Sequence, residues 1–304
     1  MKEQSLSLQT IKKEQEKMRS RGQRAALHGQ KVSFPTRNGS MNALIYNKKN
    51  NHPGYLLVEV HGGGFMYNTA ADDDDLCETL HQSLGIPVVA CDYALSPEKP
   101  FPAGLQDVYD CVCYALNRKE LLAEPDKIIL LGHSAGANLA AGAAYMAVQN
   151  HKQDFSPYLL VLDYPYMDPF RSSDQRKHIP MSVPGVLMDT FAHYYTDTKE
   201  ALRDILISPI LFSPESFTEM PETYILLCGR DNLNQGGYEY ARLLHRAGVP
   251  VSGCYVKKAL HGFIENHFNY KYIPLDTKIQ ITRKQHELAR KSVSRICQWI
   301  SDRL

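Results

Sequence analysis

The sequence lacks a long hydrophobic run. No apolar stretch reaches the roughly 18 residues that a membrane-spanning helix requires, and Met1 to Gln4 lead into a charged segment without an apolar signal core. A bias in charge is also missing, because the formal net charge is +1 and no long basic tract occurs. These absences argue against a membrane span and against a nucleic-acid-binding protein, and they predict a cytoplasmic location.

The cysteines lack the spacing of a metal or redox site. There are seven of them, an odd number, and no two form a C-x-x-C pair. We therefore expect free, mostly buried thiols in a reducing compartment. Internal repeats and low-complexity linkers are also missing, while 43% hydrophobic and 22% charged residues make an ordinary globular balance. The sequence therefore predicts a single domain over residues 1–304.

The most informative stretch that is present runs through a serine. The apolar run Lys127–Leu131 predicts a buried strand, and the alanine-rich run Ala135–Val148 predicts a helix. Between them the pentapeptide Gly132–Gly136 has the G-x-S-x-G pattern, in which a strand turns sharply into a helix with the serine at its apex. This turn requires small residues two positions before and after Ser134. It leaves the Ala135 N–H at a helix start, where negative charge is favoured.

A glycine-rich loop follows an earlier predicted strand. Tyr55–Val60 is apolar apart from Glu59, to which the sequence assigns no role, and it leads into His61–Phe65, which reads HGGGF. Three consecutive glycines let a backbone approach a ligand closely and direct N–H groups at it. An oxyanion hole needs this geometry, and an HGGG loop commonly accompanies a serine elbow.

Strands and helices alternate along the rest of the chain. Residues 31–35 and 41–47 predict two short strands that form a hairpin around the turn at 37–40. Apolar runs at 87–93, 158–164, 223–228 and 251–257 predict further strands, with helices between them. The pattern predicts an α/β fold with a mostly parallel central sheet of about eight strands, flanked by helices on both faces. In such sheets ligands bind beyond the carboxyl ends of the strands, where the serine and glycine loops both lie.

Two further strand ends complete a candidate catalytic triad. Asp231 follows the penultimate strand, and His261 follows the last one. The order Ser134, Asp231, His261 is the order of α/β-hydrolase triads, in which the histidine accepts the proton of the serine and the acid orients the imidazole. Asp163, inside a strand, and Asp204 compete for the acid role, and the position after the penultimate strand favours Asp231.

Two segments break the alternation of strands and helices. Residues 1–30 are polar and basic, with a thin apolar helical stripe that Gln15 interrupts, and residues 166–207 are rich in Met, Pro and aromatic residues. We expect these segments to form a helical cap over the active site. A basic membrane-surface helix is the alternative for residues 1–30, although its apolar face is thin for that role.

Four consecutive aspartates, Asp72–Asp75, open a predicted helix. Carboxylates in a first helical turn accept hydrogen bonds from free N–H groups and complement the helix dipole. Helix capping is therefore favoured over cation binding, and no metal site is expected.

Taken together, these stretches resemble the hormone-sensitive-lipase-like branch of the α/β-hydrolases. The resemblance spans about residues 55–265 and rests on His61–Phe65, Tyr93–Ala103, the serine elbow, Asp231-x-Leu233 and His261–Phe263. It implies a carboxylesterase that hydrolyses short acyl esters through an acyl-enzyme intermediate and needs no cofactor. It also implies that the N–H groups of Gly63, Gly64 and Ala135 form the oxyanion hole.

Three features depart from the pattern of this family. His133 stands where an acidic residue usually precedes the nucleophile, and Ala94 replaces an arginine. Asn232 and Asn234 replace a proline and an arginine beyond the acid. None of these residues belongs to the candidate triad, so they leave the substrate preference open.

Two other functions stay open beside the esterase. An amidase or peptidase uses the same triad, and receptor-like relatives keep the fold but lose the catalytic histidine, which this chain retains as His261. The expected partner is a small-molecule ester, with no nucleic acid, and a homodimer is the assembly that the sequence leaves open.

Overall fold

An eight-stranded sheet forms the centre of the computed structural model, which describes residues 5–22, 26–268 and 279–304. The spatial order of the strands is β1-β2-β4-β3-β5-β6-β7-β8. In chain order they are β1 (Gln30–Thr36), β2 (Gly39–Tyr46), β3 (Gly54–Val60), β4 (Val88–Asp92), β5 (Ala123–His133), β6 (Pro157–Asp163), β7 (Glu222–Arg230) and β8 (Val251–Leu260).

The strand directions follow from how the strands are connected. β1 and β2 form a hairpin and pair antiparallel, and β2 also runs antiparallel to β4. The pairs from β4 through β3, β5, β6 and β7 to β8 are all parallel. This arrangement confirms the predicted mostly parallel sheet, and it brings the carboxyl ends of β3, β5, β6, β7 and β8 to one edge.

Helices cover both faces of the sheet. They are α1 (Leu8–Gly22), α2 (Asp74–Leu84), α3 (Ala103–Leu116), α4 (Ala135–Gln149), α5 (Gly185–Tyr195), α6 (Asn234–Arg246), α7 (Phe263–Phe268) and α8 (Ile279–Ser301). The central strands are buried on both sides, as parallel strands usually are. In β3, for example, Leu56 and Val58 face the core under α3, α4 and α6, whereas Leu57 faces the core under α2 and α8.

The two segments predicted to form a cap differ in structure. In residues 166–207, α5 is the α-helix, and turns and short 3-10 segments make up the rest. In residues 1–30, α1 packs against the main body, while residues 1–4 and 23–25 lie outside the described residues. Gln15, which interrupts the apolar stripe of α1, is buried and donates hydrogen bonds to the Met66 and Ser96 carbonyl oxygens, each over 2.8 Å.

Among the described residues, no helix is long and apolar enough to span a membrane. All seven cysteines are free thiols, and five of them are buried. Cys113 and Cys254 are partly exposed.

Packing around β5 should contribute a large share of the stability. Leu130 is fully buried in the core, whereas Leu122 is 60% exposed. We expect Leu130→Ala to lower the free energy of unfolding by about 3 kcal/mol, because it leaves a cavity beside the central strand. The matched control Leu122→Ala should stay within about 0.5 kcal/mol of wild type. Urea unfolding monitored by circular dichroism measures both, and equal losses would contradict this account of the core.

Candidate active site

Ser134 lies at a sharp turn between β5 and α4. Its backbone has φ +54° and ψ −113°, a combination that residues with a side chain rarely adopt and that costs about 1–3 kcal/mol. The Ser134 N–H donates to the Asp163 carbonyl oxygen over 2.9 Å, which ties the turn to the end of β6. The turn therefore presents the Ser134 side chain at the carboxyl edge of the sheet.

Close packing explains the two glycines that flank the turn. A Cβ on Gly136 would lie 2.1 Å from the Val60 carbonyl oxygen and 2.3 Å from that of His61. A Cβ on Gly132 would lie 2.4 Å from the Gly136 carbonyl oxygen. Because these neighbours are backbone atoms, they cannot move aside, and only glycine fits at either position.

The structure brings together the three predicted triad residues. The Ser134 hydroxyl lies 2.8 Å from His261 Nε2, and His261 Nδ1 lies 2.7 Å from Asp231 Oδ2. The other oxygen, Asp231 Oδ1, accepts the Leu233 N–H over 3.0 Å. Since Asp231 can only accept from Nδ1–H, Nε2 is the ring nitrogen left to accept a proton from Ser134.

The electrostatic surroundings of His261 favour its protonated form. Burial lowers its pKa, but the charge and hydrogen bond of Asp231, together with the charge of Glu265, raise the pKa of His261 above its usual value. A histidine in such a setting is a strong proton acceptor.

Neither of the competing acids contacts His261. Asp163 lies against His133, with 3.1 Å between Asp163 Oδ2 and His133 Nδ1. Asp204 accepts the Leu206 N–H over 2.8 Å within the insertion. The acid beside the imidazole is therefore Asp231, which follows the penultimate strand of the chain.

The HGGG loop lies directly beside the serine turn, because β3 and β5 are neighbours in the sheet. Gly63 has φ +115° and Gly64 has φ +65°, so the loop uses conformations that favour glycine. A Cβ on Gly63 would lie 2.2 Å from the Tyr67 carbonyl oxygen. Ala135, the third residue expected to supply an N–H, is the buried first residue of α4, next to Ser134.

His61 fixes the start of this loop. Burial lowers its pKa to about 4, so the ring is neutral near pH 7. Its Nδ1–H donates to the Gly62 carbonyl oxygen over 2.7 Å. The ring also stacks on Tyr93, with 4.2 Å between centroids, and the Tyr93 hydroxyl donates to the His61 carbonyl oxygen over 2.9 Å.

Aromatic side chains of the insertion lie against the glycine loop. A Cβ on Gly64 would lie 2.5 Å from three ring carbons of Phe191, which belongs to α5. Phe65 stacks on Tyr195 with 3.7 Å between ring centroids. The space next to the glycine N–H groups is therefore bounded by aromatic rings.

A buried cluster of ionisable side chains, which the sequence did not predict, surrounds His133, the residue before Ser134. His133 lies between Asp163 and Glu59, with 3.8 Å between His133 Nε2 and Glu59 Oε1, and all three side chains are almost fully buried. Burial opposes the charge on His133, but contact with Asp163 raises its pKa to about 10. Burial raises the pKa of Glu59 to about 7. The signals in the sequence were Glu59 and Asp163, each an acid within an apolar strand, and the unusual His133, but nothing in the sequence joined them.

Two other polar residues near the site carried no signal in the sequence. Ser182, in the insertion, accepts the Asn232 N–H over 2.8 Å and donates to Asp231 Oδ1 over 3.4 Å. A proline at position 232, as is usual in the family, has no N–H to donate. Glu265 accepts the Gly62 N–H over 2.7 Å. Ser182 reaches Asp231 from the insertion, and Glu265, four positions after His261, reaches across to the glycine loop.

The aspartate run is used for hydrogen bonding. Asp72 accepts the Thr69 N–H over 2.8 Å in a capping box of a short 3-10 turn, Ala70–Asp73, whereas Asp73, the N-cap residue of α2, makes no side-chain capping hydrogen bond. Asp74 accepts hydrogen bonds from the His28 and Gly29 N–H groups and from the Tyr46 hydroxyl, so it anchors the start of β1. The carboxylate oxygens of Asp74 are therefore engaged by the protein itself.

A profile of the alpha/beta hydrolase fold family matches residues 57–265. The chain is 30% identical over 241 residues to an ethyl acetate hydrolase from Pseudomonas putida, and this alignment covers 77% of the chain and 74% of the hydrolase. A shorter segment of 85 residues is 39% identical to hormone-sensitive lipase from Mus musculus, over 28% of this chain and 11% of the lipase.

Three curated relatives align with 69–77% of the chain, and the aligned part spans 63–74% of their own length. All three are named as esterases or ester hydrolases. Among solved structures, a hyperthermophilic esterase from the archaeon Pyrobaculum calidifontis is 26% identical and superposes with a TM-score of 0.79 over 96% of this chain and 93% of that one.

These matches confirm the predicted fold and the resemblance that the motifs carry. The profile covers the strands and loops that hold Ser134, Asp231 and His261, and two of the curated relatives are named as ester hydrolases. The chain belongs to the alpha/beta hydrolase fold family, in the branch that contains hormone-sensitive lipase and the carboxylic ester hydrolases.

Proposed function

We propose that the chain is a serine carboxylesterase that hydrolyses short acyl esters, with Ser134 as nucleophile, His261 as general base and Asp231 as the orienting acid. The observation that carries this proposal is the unbroken line of hydrogen bonds from Asp231 through His261 to Ser134, with distances of 2.7 and 2.8 Å. An inactive receptor-like relative would have no need of an aligned base.

The reaction proceeds in two halves. His261 Nε2 takes the proton of Ser134 as the serine oxygen attacks the ester carbonyl carbon, and the imidazolium then gives that proton to the departing alcohol. In the second half, His261 deprotonates a water that attacks the acyl-enzyme, and Ser134 regains its proton.

The N–H groups of Gly63, Gly64 and Ala135 stabilise the negative oxygen of each tetrahedral intermediate in this proposal. The Gly62 N–H is occupied by Glu265, so the next two glycines of the loop are the ones available. Ala135 N–H lies at the positive end of the α4 dipole, which favours the developing charge. Removing one such donor typically costs about 100- to 1,000-fold in rate.

We further propose that residues 1–30 and 166–207 act together as a cap. The Leu6 N–H donates to Thr190 Oγ1 over 2.8 Å, and the Tyr194 hydroxyl donates to the Leu6 carbonyl oxygen over 3.2 Å. These contacts join the start of the chain to α5. Phe191 of the same helix contacts Gly64, so α5 lies over the pocket beside the glycine loop and the N-terminal segment packs against α5.

The triad assignment is tested by kinetics on a nitrophenyl acetate. Ser134→Ala should lose about a millionfold in kcat, and Asp231→Asn about ten-thousandfold, because the imidazole then takes the wrong tautomer. Asp204→Asn is the matched control and should stay close to wild type. Retained turnover in Ser134→Ala, or a severe loss in the control with a mild one at Asp231, would refute the assignment.

The pH dependence of kcat/KM follows from the protonation of His261. The base works only when neutral, and its pKa is raised above the usual 6.5, so activity should increase with pH through a limb whose midpoint lies above 6.5. A rate profile from pH 5 to 9 in buffers of constant ionic strength measures the limb. A midpoint below 6.5 would contradict the electrostatic description of the site.

Acyl-chain preference tests the substrate class. Each methylene that the pocket buries is worth about 0.8 kcal/mol, or about fourfold in kcat/KM, until the acyl chain meets the ring of Phe191. We expect a maximum between acetyl and hexanoyl esters, and a shift to longer chains in Phe191→Ala. Phe212→Ala, at a partly exposed phenylalanine further along the chain, is the control.

A maximum at twelve carbons or more in the wild type would refute the short-chain proposal. Comparison of each ester with its anilide separates an esterase from an amidase or peptidase. Faster turnover of the anilide than of the ester would contradict the esterase proposal and identify an amidase or peptidase.

A further inference from the structure

Glu265 connects the loop of the general base to the HGGG loop. It lies on α7, one turn of helix beyond His261, and its Oε1 accepts the Gly62 N–H over 2.7 Å across 203 positions of sequence. Its Oε2 accepts the Tyr164 hydroxyl over 3.3 Å. A Cβ on Gly62 would lie 2.3 Å from Oε1, so the glycine backbone packs directly on the carboxylate.

Gly62 is thereby held through both of its peptide units, the one before its Cα and the one after it. Glu265 accepts its N–H, and His61 Nδ1–H donates to its carbonyl oxygen. Gly63 and Gly64 follow with positive φ angles. The Gly63 carbonyl oxygen accepts the Met66 and Tyr67 N–H groups, which close the turn. The direction of the Gly63 and Gly64 N–H groups therefore depends on how Gly62 is oriented.

The same carboxylate also lies within the electrostatic reach of the base. Asp231 and Glu265 are the acidic groups that raise the pKa of His261, and the Tyr164 ring packs against the imidazole at 5.2 Å between centroids. The charge of Glu265 also contributes to the raised pKa of Glu59, Asp73 and His133.

We propose that Glu265 is a positioning residue that fixes the oxyanion loop relative to the general base, through its hydrogen bond to Gly62 and its place one turn after His261. This proposal rests on the proposed esterase function. The hydrogen bond of Glu265 to Gly62 and its negative charge near His261 can be tested separately. Glutamine keeps an oxygen that can accept the Gly62 N–H but carries no charge, whereas alanine removes both the hydrogen bond and the charge.

The test compares Glu265→Ala, Glu265→Gln and the surface control Glu287→Ala on a nitrophenyl acetate. Glu265→Ala should lower kcat about 10- to 100-fold, somewhat less than loss of an oxyanion donor, with KM changed less than about threefold. Glu265→Gln should keep kcat within about threefold of wild type, while the acidic limb of its kcat/KM profile moves to lower pH, since a negative charge near His261 is gone. Glu287→Ala should change neither kcat nor the pH of the acidic limb.

A second measurement does not depend on turnover. In [15N]glycine-labelled protein, the Gly62 amide proton should resonate at a lower field in wild type than in either Glu265 variant, because a carboxylate is the stronger acceptor. An unchanged Gly62 resonance together with wild-type kcat and pH limb in Glu265→Ala would overturn the proposal. A wild-type protein without activity on any ester would refute the esterase function, and the Gly62 resonance would still decide whether Glu265 holds the loop.

Discussion

The strained backbone at Ser134 is the constraint on which the rest of the site depends. A serine with φ +54° persists only where its surroundings determine its conformation. Here the Ser134 N–H is held by the Asp163 carbonyl oxygen, and Tyr166 N–H donates to the Ser134 carbonyl oxygen over 3.1 Å. Gly136 is packed against the carbonyl oxygens at the end of β3. The three central strands therefore act as one rigid support for the nucleophile.

The same three strands also hold three buried ionisable side chains. Glu59, His133 and Asp163 come from the neighbouring strands β3, β5 and β6 and meet just beneath Ser134, out of contact with water. Isolated charges in such a position are expensive, and pairing them with opposite charge is what makes them tolerable. His133, which departs from the usual acidic residue of the family, lies between the two acids, and contact with Asp163 favours its positive charge.

The parts of the site that were predictable from sequence are those fixed by topology. Ser134, Asp231 and His261 each follow the end of a parallel strand, and parallel strands place their ends at one edge. The HGGG loop was predictable for the same reason, because β3 precedes it and neighbours β5.

The parts that were missed depend on how distant segments dock. Gln15 looked like an interruption in an apolar stripe, yet its amide donates to two backbone carbonyl groups that no local pattern identifies. Ser182 reaches Asp231 from the insertion, and Glu265 reaches Gly62 from the far end of the chain. Such contacts join residues tens to hundreds of positions apart, so neither periodicity nor motif spacing encodes them.

The central claim is that Ser134 is a nucleophile activated by His261, and covalent labelling tests it most directly. A fluorophosphonate should form one adduct per chain, located on Ser134 by peptide mass spectrometry, and the adduct should form far more slowly in His261→Ala. An adduct on any other residue, or equal labelling rates in wild type and His261→Ala, would contradict the claim.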